Sequence, residues 1–157
     1  MMMNAILLLA TVAAANSGEN QKGIDAVLTP VLDACVRTDL QEQSPEVGLA
    51  ADGWVAGQGG YLSPGGNAKV FVSWPGDKES AASCFVFSPD FTAGDYNDWF
   101  EGQLGPATSI PWDPKTPLAG WRIEVSGHKA DIYVGEGKHP ETGAPSPVIH
   151  ILQSERY

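Results

Sequence analysis

The sequence predicts an α+β domain: a mostly antiparallel sheet of about five strands with two to three helices packed on it. Apolar residues recur at helical spacing in residues 24–36 and 91–104, and alternating segments follow one another across turn residues rather than across helical crossovers. Length and composition agree. A chain of 157 residues, 43% apolar and 18% charged, is one domain's worth and too apolar to be intrinsically disordered.

Each element has its own signal. Ile24, Val27, Leu28, Val31, Leu32, Cys35 and Val36 form one apolar stripe, which faces Cys35 to the core. Pro30 interrupts it and leaves two readings, one kinked helix or a turn followed by a helix with Thr29 as its cap. Ser44-Pro45-Glu46 starts a short helix over 45–52, and Gly53 stops it. Residues 55–68, with five glycines and a proline, read as loop. Residues 69–74 (KVFVSW) and 82–87 (ASCFVF) alternate around a turn and predict an antiparallel hairpin, with Cys84 and Val86 on one face and Phe85 and Phe87 on the other. Tyr96, Trp99, Phe100 and Leu104 mark a third helix, closed by Gly105. Residues 106–120 contain Pro106, Pro111, Pro114 and Pro117 and read as irregular; 121–125, 130–134 and, after a Gly/Pro stretch over 135–147, 148–153 complete the sheet.

Charge and the first residues speak to compartment. Nine Lys+Arg against nineteen Asp+Glu give a net charge of −10, which repels phosphate backbones and anionic lipid, so nucleic acid is not an expected partner. Residues 5–15 (AILLLATVAAA) are too short an apolar run to span a bilayer but suit the core of a signal peptide. The small residues Ala13 and Ala15 place cleavage between Ala15 and Asn16, dividing the chain into a leader, 1–15, and a single α+β domain, 16–157. The alternative is a buried helix at this end; residues 1–4 carry no Lys or Arg. The 142 residues after the cleavage point hold every charged side chain and both cysteines, and have no apolar run long enough for membrane insertion. The expected location is periplasmic or secreted. In an oxidising compartment Cys35 and Cys84 read as one disulfide, the alternative being two free buried thiols.

Candidate chemistry is sparse. His128, His139 and His150 lack metal-ligand spacing. Gly57-Gln58-Gly59-Gly60 and Gly65-Gly66 lack the Lys and Ser/Thr of a phosphate loop and read as flexible surface. Asp90, Asp95 and Asp98 surround the start of the third helix, where carboxylates complement the dipole without any ion. No serine sits in a nucleophile elbow, and Glu124 and Glu136, on or near adjacent strands, are the acid pair to weigh for glycoside cleavage. No cofactor is expected. Tyr61 and Trp112, in the Gly-rich and Pro-rich segments, are the aromatics hardest to assign to a core. They stand as possible ligand contacts, or as pins that hold long loops down.

The segments VLDACVRT, LAADGW, SCFVF and QLGPA, within residues 31–107, resemble small uncharacterised exported proteins of Gram-negative bacteria. That resemblance implies a signal peptide and a paired Cys35 and Cys84, and it transfers no catalytic residues. The expected function is non-catalytic: binding of a protein, peptide or envelope ligand. The competing readings are a small envelope hydrolase whose site forms only in three dimensions, and a structural or stress-related envelope protein.

Overall fold

In a computed structural model, the structure describes residues 5–40, 42–74, 82–113 and 116–156, with side chains described at 18–40, 42–74, 82–110 and 119–153. The chain is α+β: among the described residues three helices lie against one antiparallel sheet, but the sheet has eight strands rather than about five. Helix α1 (Ala5–Leu32) runs into a π-turn (Asp33–Arg37) and is followed by α2 (Pro45–Ala51). Strands β1 (Val55–Gly57), β2 (Gly60–Leu62), β3 (Lys69–Ser73) and β4 (Ala82–Phe87) form one meander. Helix α3 (Ala93–Leu104) crosses to a second meander, β5 (Thr108–Asp113), β6 (Thr116–Val125), β7 (His128–Lys138) and β8 (Pro145–Arg156). The order β1-β2-β3-β4-β8-β7-β6-β5 joins the two meanders through β4 and β8.

Pro30 lies inside α1, so the kinked-helix reading is nearer than a helix beginning at Thr29. The π-turn that follows buries three consecutive residues, Ala34, Cys35 and Val36, where an α-turn would swing one of them outward. The predicted stripe is buried throughout. It packs on Val70, Cys84, Val86, Ala130, Ile132, Ile149 and Ile151, the helix-facing residues of the sheet. Cys35 and Cys84 are joined across this interface, Cα to Cα 6.2 Å. Ser44 caps α2 by accepting from the Glu46 N–H. Thr92 and Asp95 form a reciprocal capping box on α3, which accounts for one of the three aspartates there. From α3, Trp99 donates its indole N–H to Asp25 (2.6 Å), and Phe100 packs on Trp121 at 5.3 Å. Burial pushes the Tyr96 hydroxyl up to about 12.

The three extra strands lie where glycine and proline had suggested loop. Residues 55–62 are the β1–β2 hairpin, turning at Gln58 and Gly59 with φ of +48° and +78°, as a two-residue hairpin turn demands. Gly60 is required for another reason: a Cβ there would lie 2.6 Å from the Val70 carbonyl oxygen of β3. Strand β5 tolerates Pro111 because it is the sheet edge, where a missing N–H breaks no inner ladder. Strands β6, β7 and β8 likewise extend through Gly120, Gly135, Gly137, Pro145 and Pro147. The predicted turn at 75–80 lies outside the described residues.

Gln153, on β8, is fully buried and binds the end of the helical layer. Its side-chain oxygen accepts from the Leu40 N–H (2.7 Å), and its amide nitrogen donates to the carbonyls of Val36 (3.2 Å) and Thr38 (2.7 Å). Carbonyls left over where a helix stops need such partners.

Candidate functional site

Tyr61 is the one sequence-picked contact residue whose side chain can be followed. It sits half-buried on β2, lining an open cavity of about 450 Å³ between the start of α2 and the β1–β2 hairpin, with Glu46, the backbone of Gly57–Gly60 and Val72 around it. Burial first, then the charge of Glu46 and a hydrogen bond donated to its carboxylate, raise the Tyr61 hydroxyl above its ordinary value of 10. The hairpin wall is fastened from behind. The Lys69 ammonium is 4% exposed, donates to the Gln58 carbonyl at the turn (3.1 Å), pairs with the Glu141 carboxylate, and lies 4.9 Å from the centre of the Phe71 ring. The Gly-rich segment is therefore a pinned hairpin, not the flexible surface its composition implied. Sequence reading missed Glu46 and Lys69, since fifteen and eight residues separate them from Tyr61 and nothing local signals the contact.

The other candidates do not gather. Trp112 falls in β5 at the opposite side of the sheet from β2, and its side chain lies outside the described ones. Glu124 faces Lys129 in the β6–β7 register, seven residues along β7 from Glu136, about 23 Å at strand rise. That separation exceeds what either glycosidase geometry requires. His128 is the first residue of β7, buried, with Nδ1 3.3 Å from the Asp39 carboxylate. His139 packs edge-on to Phe87 (5.6 Å) and accepts from the Glu141 N–H. Among the described residues, no group of three or more His, Cys, Asp or Glu side chains is placed to hold a metal ion, and no helix is long and apolar enough to cross a membrane. Helix α1 is continuous through Ala15 and Asn16; residues 1–4 of the expected leader lie outside the described residues.

Comparison with protein-family models, with curated proteins and with solved structures finds no match to this chain. Function must be argued from its own side chains.

The sheet face turned away from the helices carries a second feature that the sequence did not announce. In register across it lie Phe71, Phe85, His150, Tyr133 and Gly120, one from each of β3, β4, β8, β7 and β6. The His150 ring stacks on Phe85 at 4.2 Å and 14°. A cavity of about 420 Å³ opens beside it, lined by Ala119, Tyr133, Gly135, Glu136, Val148 and His150.

Burial lowers the His150 pKa below its ordinary 6.5, so the folded state holds the neutral ring. The unfolded chain takes up the proton first as pH falls, and stability drops as pH falls from about 7 through 6.5 toward the lower folded value. In urea titrations at several pH values, His150→Phe, which keeps a ring on Phe85, removes this component of the slope. An unchanged slope in the variant refutes the assignment.

Proposed function

We propose that this chain is an exported domain that acts by binding rather than by catalysis, with the Tyr61 cavity as its contact surface for a protein, peptide or envelope ligand. One observation carries the reading. Tyr61 and Glu46 face an open cavity whose hairpin wall is held from behind by a buried lysine, so its shape is set before any ligand arrives. Support for the compartment comes from the apolar run at 5–15 and from two cysteines placed within bonding reach, an arrangement at home in an oxidising environment. A tyrosine suits such a surface because it offers a large rigid ring at small conformational cost, with a hydroxyl to hydrogen-bond.

Two measurements test this. Mass spectrometry of the exported protein is expected to find Asn16 as the first residue; soluble protein that retains residues 1–15 refutes the leader. A photo-crosslinking amino acid at position 61 is expected to give a discrete adduct in the native compartment, lost when Val72→Trp fills the cavity. Equal adducts from position 61 and from exposed Glu101 on α3, or turnover of an envelope substrate unaffected by Tyr61→Ala, overturns the reading.

A further inference from the structure

We infer that the gap between β6 and β7 is a second binding site, which takes an extended peptide as an added strand along β7 and seats one of its apolar or aromatic side chains in the cavity at Tyr133 and His150. The site lies across β3, β4 and β8 from Tyr61 and stands independently of that cavity.

The ladder between β6 and β7 runs from Val125–His128 to Gly120–Tyr133 and ends there. Beyond that rung β6 continues against β5 alone, through Ala119–Ser109 and onward, and β7 continues against β8 alone, from Val134–Ile149 to Lys138–Pro145. The sheet thus divides into two hairpin arms, and among the described residues Val134–Lys138 keeps one strand edge without a ladder partner. The cause is visible at the tip of the β7–β8 arm. Glu141 pairs with Lys69 of β3, and His139 packs on Phe87 of β4, so the arm is drawn toward the first meander and away from β6.

Backbone N–H and C=O groups along a strand edge template another strand, and proteins usually blunt such edges. Here the two outermost strands are blunted: β1 has only three residues, and β5 carries Pro111 and a register shift between Pro111 and Asp113. The inner edge of β7 has neither device. Its sequence there is Val-Gly-Glu-Gly-Lys, and a Cβ on Gly135 would meet nothing within 4 Å. Glycine in a strand permits close approach of a second backbone. The groups on offer are main-chain amides beside a 420 Å³ cavity lined by rings and apolar side chains, which is the recognition mode for an extended peptide with one anchoring side chain. Glu136 is the charged residue that lines the cavity, Lys138 lying two residues further along the edge and outside that lining, and with the net charge of −10 this favours a peptide with basic flanks over an acidic one.

Hydrogen exchange on the whole chain tests this, with the capped peptide Lys-Val-Thr-Phe-Thr-Val-Lys as probe at about 1 mM, the weak end of the affinity scale. Without peptide, the gap-facing amides of residues 134–138 are expected to exchange at least about 100-fold faster than those of 129–133 that face β6. Peptide is expected to slow them selectively. N-methylation of its alternate amides, or Phe replaced by Ala, weakens binding about tenfold or more. Ala119→Trp, which fills the cavity, weakens it similarly while leaving exchange elsewhere unchanged. The peptide controls need no variant to fold. Equal protection of 134–138 and 129–133 in the free protein, no protection by the peptide, or undiminished binding of the N-methylated peptide overturns the proposal. Protection of the same amides by self-association of the chain alone overturns it in favour of a second copy as occupant.

Discussion

Replacing Cys35 and Cys84 together by alanine is expected to lower stability by about 4 kcal/mol, and the midpoint of thermal unfolding by about 10 °C. The cross-link closes a loop with a sequence separation of 49, and its main effect is to restrict the unfolded chain. Both residues are fully buried, and they fasten the π-turn at the end of α1 to β4 near the middle of the sheet. Denaturant titration of the variant against the parent, each in oxidising and reducing buffer, isolates the contribution. A reducing agent is expected to destabilise the parent and leave the double variant unmoved. Thiol titration of the native protein provides the prior check, and two reactive thiols there remove the basis of the prediction.

The second large effect is expected at Gln153. Gln153→Leu keeps comparable volume but strips the partner from the buried Leu40 N–H and from the Val36 and Thr38 carbonyls. An unmade buried hydrogen bond costs about 1–3 kcal/mol, and one of these three groups is nearer solvent, so the loss is expected near 3 kcal/mol in all. A urea titration reads it directly. A loss below about 1 kcal/mol shows that the loop at 38–40 finds other partners, and the seal ascribed to Gln153 then fails. Gln153→Ala is expected to fare worse still, since it adds a cavity to the same unpaired groups.

What was legible in the sequence was what neighbours in the chain decide. The stripe from Ile24 to Val36, the Ser44 cap and the run from Tyr96 to Leu104 closed by Gly105 obey rules that act within a few residues, and each lies where those rules put it. The faces of β3 and β4 were equally readable, because Val70 pairs with Val86 and Phe71 with Phe85 as alternation requires. Strands β1, β2 and β5 were not legible. Glycine and proline weaken a strand signal in general, yet Gly60 serves close backbone contact, and Pro111 is harmless on an edge. The sites were the least legible. Lys69 meets Glu141 across 72 residues, Gln153 meets Val36 across 117, and the alignment of Phe85, His150 and Tyr133 exists only once three strands are in register. Tyr61 was singled out for an aromatic ring in an unlikely segment, a signal that says nothing about Glu46 opposite it.

The central place of β8 also bears on the order of events during synthesis. This strand follows every other strand of the sheet in the chain, yet it is the one that joins β4 to β7 and carries the glutamine that closes the helical layer. Until it emerges, the two meanders have no common edge, and Cys84 lies on a sheet of four strands with its outer neighbour missing. Consolidation is therefore deferred until nearly the whole domain has been made, and depends on pairings distant in sequence. A chain built this way gains the strand that flanks Cys84, and with it the joint between its two halves, only at the end of synthesis.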